Sequence, residues 1–466
     1  AYGSAANGLT NSIGQFLGFI QLCELGVGAV VQSALYKPLA DGDSYKVSCI
    51  LKSSKVFFRI IGTILLIYVI LLSLIYPRLI TEFDSVFVCL MILAISVNSF
   101  ANYYLGMNNS LLLQADQKSY IPLGSQAVAV ILNTVICLLL IRFGASLLVV
   151  KMSTAVIYLI RPIVMWIYVK KNYDINYQVI YSEEPIKQKW NGLAQHFASV
   201  IVDHTDTVVL TVFSTLSDVS IYAVYYMVVS SMRSMINSSL SGVQAAMGNM
   251  ISKNEIESLK SFFDKTEWAL HTVVVLLYSI AGVLIVPFIL VYTRNVHDTN
   301  YDVPLFATLI VIANAGFCLQ SIYKLIVKAA GHYRETQLAS VIEAIINVIS
   351  SVILVSKYGL IGVAIGTILA MIYRLIYHIW YIKKRIICRP YSLAIKQFLV
   401  DFISICAIVI ATGMISVSRV NFLHWIFSAI IVSIIASFVS LGVNFIFYRN
   451  YLIAFFSAIA NRIKNR

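Results

Sequence analysis

Charge is what this chain has least of. Asp, Glu, Lys and Arg make up only 12% of its 466 residues, while 59% are hydrophobic, and mean hydropathy is +0.85. A soluble globular protein carries about twice that share of charge. No fold of this length hides so much apolar surface from water, so a water-soluble protein is excluded. Signatures of nucleotide and hydrolase chemistry are missing too. There is no GxxxxGK[ST], no HExxH and no GxSxG, which removes a built-in ATP site of that type, a helix-borne zinc-protease pair and a nucleophile elbow. Seven cysteines are present, none as CxxC and none with a Cys/His spacing suited to zinc. Cys23, Cys89, Cys137, Cys318 and Cys406 fall within apolar stretches and read as structural thiols. No polar stretch is long enough for a separate catalytic domain. What remains is an all-α polytopic membrane protein, expected not to be an enzyme.

A transmembrane helix takes about 20 mostly apolar residues. Thirteen such stretches are expected, near 5–34, 56–76, 85–107, 119–141, 146–169, 192–213, 218–248, 267–293, 303–328, 338–356, 360–382, 397–417 and 423–447. Charge alternates between them. Of the 34 Lys and Arg, 25 lie in connections and flanks after the odd-numbered stretches, 5 in the opposite connections (Arg78, Arg142, Arg294, Lys357, Arg419) and 4 inside the stretches. The positive-inside rule makes the basic side cytoplasmic and places the C-terminus inside. Residue 1 then lies outside. Because Ala1-Tyr2-Gly3 stands directly ahead of an apolar run, an upstream helix is expected, giving a parent of fourteen; a thirteen-span protein is the alternative. The net charge of +13 calls for no nucleic-acid partner, since basic loops face anionic lipid.

The longest basic interruption, 170–189, contains Glu183, Glu184 and Pro185. It separates an N-terminal lobe (1–171) from a C-terminal lobe (191–386), with 172–190 as a cytoplasmic linker. A second division at 383–396 leaves two extra transmembrane helices in 387–448 and a basic tail, 449–466, suited to an interfacial helix or to disorder. With the upstream helix restored the layout is six, six and two, resembling two bundles related by an axis along the membrane normal. Exterior connections are short, which argues against polysaccharide polymerases and ligases that build sites on large exterior loops. Gly14-xxx-Gly18, Gly362-xxx-Gly366, Gly26 and Gly28 mark close helix approaches.

Ionisable groups inside a span cost a few kcal/mol each on insertion scales and mark cavities or partners. Here they are Glu24, Lys151, Arg161, Asp203, His204, Asp206, Arg233, Glu343 and Arg374. Asp203 and Asp206, spaced i, i+3, share a helix face; together they can bind H⁺ or Na⁺, or each can form a helix–helix salt bridge. Arg161, Arg233, Lys151 and Arg374 are candidates for holding an anionic headgroup such as a diphosphate, because Arg binds phosphate through paired hydrogen bonds. Snorkelling to the membrane surface is the alternative for Arg374 and Lys151. Glu24 and Glu343 are further ion-coupling candidates, or partners of an intramembrane Arg. His271 and His378, near helix ends, read as interface residues. No metal-ligand set is present.

Two stretches carry a family likeness. Glu24-Leu25-Gly26-Val27-Gly28, followed by Leu35-Tyr36-Lys37-Pro38-Leu39-Ala40 and Asp43, resembles the early motif of Wzx-type bacterial polysaccharide (O-antigen) flippases. So do Thr205-Asp206-Thr207, Asp218-Val219-Ser220-Ile221-Tyr222, Tyr225-Tyr226 and Ala246-Met247-Gly248-Asn249. These belong to the multidrug/oligosaccharidyl-lipid/polysaccharide (MOP) exporter superfamily. The resemblance implies a MATE-like pair of six-helix lobes around a central cationic cavity, plus two C-terminal helices. It implies alternating access and no cofactor beyond a coupling H⁺ or Na⁺. The implied substrate is an undecaprenyl-diphosphate-linked oligosaccharide, an O-antigen, capsule or exopolysaccharide repeat unit. The implied site of action is the bacterial inner membrane, alongside polysaccharide polymerase machinery. A cation-coupled multidrug exporter of the same superfamily is the second reading, and a membrane polymerase or ligase the third.

Overall fold

The computed structural model describes residues 2–24, 27–181, 193–413, 415 and 421–464, and no strand occurs among them. The chain runs through α1 (Ser4–Gly18), a 3₁₀ turn (Phe19–Glu24), α2 (Val27–Ala40), α3 (Ser44–Leu79) and α4 (Ser85–Ala101). A π-turn (Asn102–Gly106) leads into α5 (Met107–Ala115), α6 (Tyr120–Arg142), α7 (Leu147–Tyr158), α8 (Ile160–Asn172) and α9 (Leu193–Phe213). Then come α10 (Leu216–Ser239), α11 (Ser241–Ser252), α12 (Ile256–Tyr292), α13 (Pro304–Ala329), α14 (Tyr333–Tyr358), α15 (Leu360–Arg385), α16 (Tyr391–Thr412), α17 (Phe422–Phe447) and α18 (Arg449–Lys464). In hydrocarbon every backbone polar group must be satisfied within its own segment, which is why such apolar runs become helices. Their ends carry polar caps: Asp43 accepts from Lys46 N at 2.9 Å, Asp84 from Val86 N at 3.0 Å, and Asn421 from Leu423 N at 3.0 Å.

Among the described residues, eleven helical stretches are long and apolar enough to cross a membrane, and they match eleven of the thirteen expected spans in order. The other two expected spans are helical as well, as α1 to α2 and as α9, but they carry the polar residues Asn7, Asn11, Gln15, Gln21 and Glu24, or His196, Asp203, His204 and Asp206. The helix expected over 267–293 begins eleven residues earlier, at Ile256. Its 37 residues extend about 55 Å, against a hydrocarbon core of about 30 Å, so part of it stands outside the bilayer interior. Leu25, Gly26, Glu183, Glu184, Pro185, Lys187, Lys189, Arg419 and Arg466 lie outside the described residues.

The chain forms two compact units, Ala1–His204 and Thr205–Arg466, with the division inside α9. In the first unit α3 packs on α2 and α4, and α7 on α4 and α6. The described start of the connection folds back onto α3. Lys52 Nζ donates to the Val179 carbonyl at 2.7 Å, Tyr45 OH to that of Ile180 at 2.7 Å, and Lys55 sits 3.8 Å over the Tyr177 ring. Nearby, Tyr173 OH donates to Asp116 at 2.5 Å and Lys118 pairs with the same carboxylate at 2.8 Å. Burial pushes the Asp116 carboxyl up, yet the bonds from Lys118 and Tyr173 outweigh it and hold the group below its ordinary value.

In the second unit α15 packs on α13 and α14, while α12 contacts α13, α16 and α17. Polar residues on α12 recur at helical spacing and meet the last helix pair. Arg389 donates from Nη1 to Glu267 Oε1 at 3.0 Å and from Nε to Asp264 Oδ1 at 2.8 Å, and it also pairs through Nη2 with Glu267 Oε2. Tyr323 OH donates to Glu267. Trp268 Nε1 donates to Asn444 Oδ1 at 2.7 Å. His271 Nδ1 and Asp401 Oδ2 lie 2.6 Å apart, and Gln397 donates to the other Asp401 oxygen at 3.0 Å. His271 and His378 are thus fully buried, not interface residues as their helix-end positions suggested. The tail is helical over Arg449–Lys464, as α18.

The glycine readings separate in the structure. A Cβ on Gly14 would meet open space, whereas one on Gly362 would strike the Leu354 carbonyl and one on Gly366 would come 2.7 Å from Ser351 N. At the second pair, backbone approaches backbone where α14 and α15 meet. Gly362→Val and Gly366→Val should each lower the stability of the detergent-purified protein by about 1–3 kcal/mol, the usual cost of overpacking. Gly14→Val should leave it within about 0.5 kcal/mol. Unfolding midpoints of the three variants check this, and equal midpoints would refute the close-contact reading.

Candidate functional site

In the first unit, Arg161 follows the break between α7 and α8. Pro162 has no N–H to offer the Tyr158 carbonyl, so the helix ends and restarts there. Arg161 is half-buried, and its Nε is buried with no hydrogen-bond partner among the described residues. Lys151, on α7, is also half-buried. Glu24 closes the 3₁₀ turn after α1, and its Oε1 accepts from Tyr103 OH at 2.5 Å. Its partner is therefore a phenol and not the Arg that sequence reading offered. Tyr103 is delivered by the π-turn, a local distortion often found at functional positions. Two histidines of α9 meet the same stretch of chain: His204 Nδ1 lies 2.5 Å from Gln15 Oε1 and His196 Nε2 lies 2.7 Å from the Gln21 carbonyl.

In the second unit the centre of interest is Asp206, 7% exposed. Tyr222 OH of α10 donates to Oδ2 at 2.9 Å. Thr367 Oγ1 of α15 stands 3.0 Å from Oδ1 and 2.9 Å from Oδ2, and Asn347 Nδ2 of α14 donates to that hydroxyl at 3.2 Å. Four helices thus contribute to one buried oxygen cluster. Asn347 Oδ1 and Ser351 Oγ are buried without a hydrogen-bond partner among the described residues. Tyr222 stacks on Tyr226 at 5.5 Å, one helical turn on. The i, i+3 spacing does not make Asp203 a second carboxylate of this cluster: Asp203 is exposed while Asp206 is enclosed.

Arg233, on α10, is half-buried and its guanidinium lies 4.3 Å from the Phe317 ring centroid. Arg374 does not snorkel. It is 3% exposed, pairs through Nε with Glu343 Oε2 at 3.6 Å and donates from Nη1 to the Thr336 carbonyl at 3.3 Å. Arg374 and Glu343, candidates for two different tasks, are therefore one ion pair. Tyr222 stands in the family-like stretch 218–222, but neither it nor Asn347, Thr367, Glu267, Asp401 or Arg389 is among the candidate site residues read from the sequence. Asp401 stands inside the expected span 397–417 and its charge was the available signal; the hydroxyls and amide carry no such signal. No group of three or more His, Cys, Asp or Glu suited to a metal ion occurs among the described residues.

No protein-family model matches the sequence, and curated protein sequences give no match either. Solved structures do match. The lipid II flippase MurJ, in an inward closed conformation, is similar over 96% of this chain and 97% of its own, with TM-score 0.70 and 16% identity. An inward-facing multidrug resistance MATE family transporter of the MOP superfamily is similar over 82% of this chain and 91% of its own, with TM-score 0.66 and 13% identity. A MOP superfamily transporter from Pyrococcus furiosus, whose binding pocket is described as reversed in polarity, covers 81% and 91% with TM-score 0.56 and 13% identity. At these identities the likeness is one of fold: this chain has the all-α membrane fold shared by the MurJ flippase and the MATE transporters.

Proposed function

We propose that this protein is a transporter that moves a polyprenyl-diphosphate-linked oligosaccharide from the cytoplasmic to the outer leaflet of a bacterial inner membrane by alternating access, its C-terminus on the cytoplasmic side. It resembles Wzx-type flippases in its motifs, and its substrate is an O-antigen, capsule or exopolysaccharide repeat unit handed to polymerase machinery. The single observation that carries this reading is end-to-end likeness to a lipid II flippase, 96% of one chain on 97% of the other. The multidrug transporters leave a larger part of this chain unmatched. Intramembrane cations add to it. Arg161 has a buried Nε with no acceptor among the described residues, and Arg233 lies against an aromatic ring. A diphosphate offers Arg161 Nε the charged, multidentate acceptor that is missing among the described residues, and Arg233 supplies a second intramembrane cation.

Asp206 supplies the coupling step in this proposal. Its carboxylate, the Thr367 hydroxyl and the unpartnered Asn347 and Ser351 oxygens offer hard oxygen ligands to Na⁺, or a carboxylate to H⁺. Glu24, bonded to Tyr103, is the second candidate for that task, and Asp203 and Glu343 are weaker ones given their surroundings. Multidrug export by the same fold remains the competing reading because a buried carboxylate also suits cationic drugs. It predicts drug sensitivity with intact surface glycans when the gene is deleted, the reverse of the flippase outcome.

Arg161→Gln and Arg233→Gln should each cut surface polysaccharide by about tenfold or more, the worth of a charge-assisted hydrogen bond, with the folded protein still present in the membrane. Full polysaccharide levels in both variants would defeat the cationic-headgroup argument. In proteoliposomes, Asp206→Asn should abolish the response of flipping to an imposed H⁺ or Na⁺ gradient. A variant that still responds fully to either gradient would exclude Asp206 from coupling.

A further inference from the structure

The second unit holds a cavity of about 390 Å³ away from the Asp206 cluster, at the end of the helices that carries Lys383, Lys384, Arg385, Lys396 and Arg449. It lies where the first turns of α16, the last turn of α17 and the start of α18 meet α12. Its floor is the Arg389 fork, already saturated: two carboxylates, Glu267 and Asp264, surround that one cation. Its rim is different. Lys396 and Arg449 line the cavity and neither forms an ion pair among the described residues. Lys396 Nζ makes only a 3.4 Å contact with the Phe447 carbonyl and lies 4.7 Å over the Tyr448 ring. Arg449 rests 5.2 Å from the Phe445 ring. Two cations with charge to spare thus stand over a preformed, rigid floor.

The walls identify the source of the ligand. Leu393 and Ile446, both in the lining, are exposed large apolar side chains on helices that are long and apolar enough to cross the bilayer. The mouth therefore opens toward hydrocarbon and not only toward water. α18 continues the same surface with exposed Ile453, Phe455 and Phe456, an apolar face fit to lie in the interface. A ligand seated here must present negative charge to Lys396 and Arg449 and an apolar body to Leu393 and Ile446. An inorganic anion meets only the first demand.

We propose that this cavity binds the phosphate headgroup of an anionic phospholipid, held by Lys396 and Arg449 with its glycerol and upper acyl carbons against Leu393 and Ile446. The site is separate from the residues assigned above to the transported substrate, so it stands or falls independently of the flippase reading. Its occupant ties α16, α17 and α18 to α12 from the membrane side, adding to the polar contacts that already join them.

Native mass spectrometry of the full-length protein, released from nanodiscs of phosphatidylglycerol or of phosphatidylcholine, tests this directly. The wild type should retain one phosphatidylglycerol that a Lys396→Gln/Arg449→Gln double variant binds about 30-fold more weakly, at about a fivefold loss for each cation removed near a surface. The charge-keeping pair Lys396→Arg/Arg449→Lys should retain it. Both residues are exposed, so the double variant should fold, with its elution volume and helix content checking that point. Equal retention by wild type and double variant overturns the proposal. So does equal retention of phosphatidylcholine, and so does displacement of the lipid by millimolar inorganic phosphate, which would mark a site for the free anion.

Discussion

A buried charge in hydrocarbon has no water to fall back on and must be met by protein, by a ligand or by its own neutralisation. That cost arranges the interior of both units. Glu24 is met by Tyr103, Asp206 by Tyr222 and Thr367, Arg374 by Glu343 and Glu267 by Arg389 and Tyr323. In each case the partner comes from a different helix or connection. The helices are therefore joined by the needs of their polar side chains as much as by apolar packing, which in lipid gains nothing from expelling water.

The last helix pair shows the consequence. α16 and α17 are among the most apolar segments of the chain, and their outer faces stay exposed. Lipid satisfies such faces as well as protein does, so hydrophobicity alone gives the pair no reason to sit against α12. The ladder of Glu267 with Arg389, Trp268 with Asn444 and His271 with Asp401 supplies that reason. Because each rung must pair in register, sliding α12 by one turn would strand several polar groups at once. A buried ion pair often contributes little net stability against an apolar replacement; what this ladder specifies is position. The glycines at 362 and 366 act likewise between α15 and α14, admitting a backbone approach that any side chain would block.

Hydropathy and charge reside in single residues, so the spans and their order were legible in the sequence: eleven of thirteen appear as apolar helices and the other two as polar ones. Helix ends were less so. The run over 267–293 starts at Glu267, and the long amphipathic lead of α12 leaves Asp264 outside it. Partnership was the least legible of all. Nothing in the sequence links Glu343 to Arg374, or Asp206 to a threonine 161 positions away, because these pairs exist only once α9, α14 and α15 are packed. Spacing also misled at Asp203, since an i, i+3 pair diverges by about 60° around the axis, enough to place one carboxylate inside and the other out.

The buried charges differ in how fully they are satisfied, and that difference is the basis on which the proposal above gives some of them a working role. Arg389 has two carboxylates and a fork–fork geometry, and no acceptor on a passing ligand could improve on that. Arg374 has a carboxylate at 3.6 Å and one carbonyl, a looser arrangement that is still closed within its own unit. Arg161 keeps a buried Nε with no acceptor among the described residues, at a position where Pro162 has already interrupted the helix. A group left in that condition raises the free energy of the protein by about 1–3 kcal/mol, a cost that binding an anion removes. Asn347 Oδ1 and Ser351 Oγ are in the same condition, and the coupling cation proposed above would offer them a partner. In the transport role proposed above, half-satisfied groups of this kind would hold a cargo without holding it permanently, whereas fully paired ones join the helices.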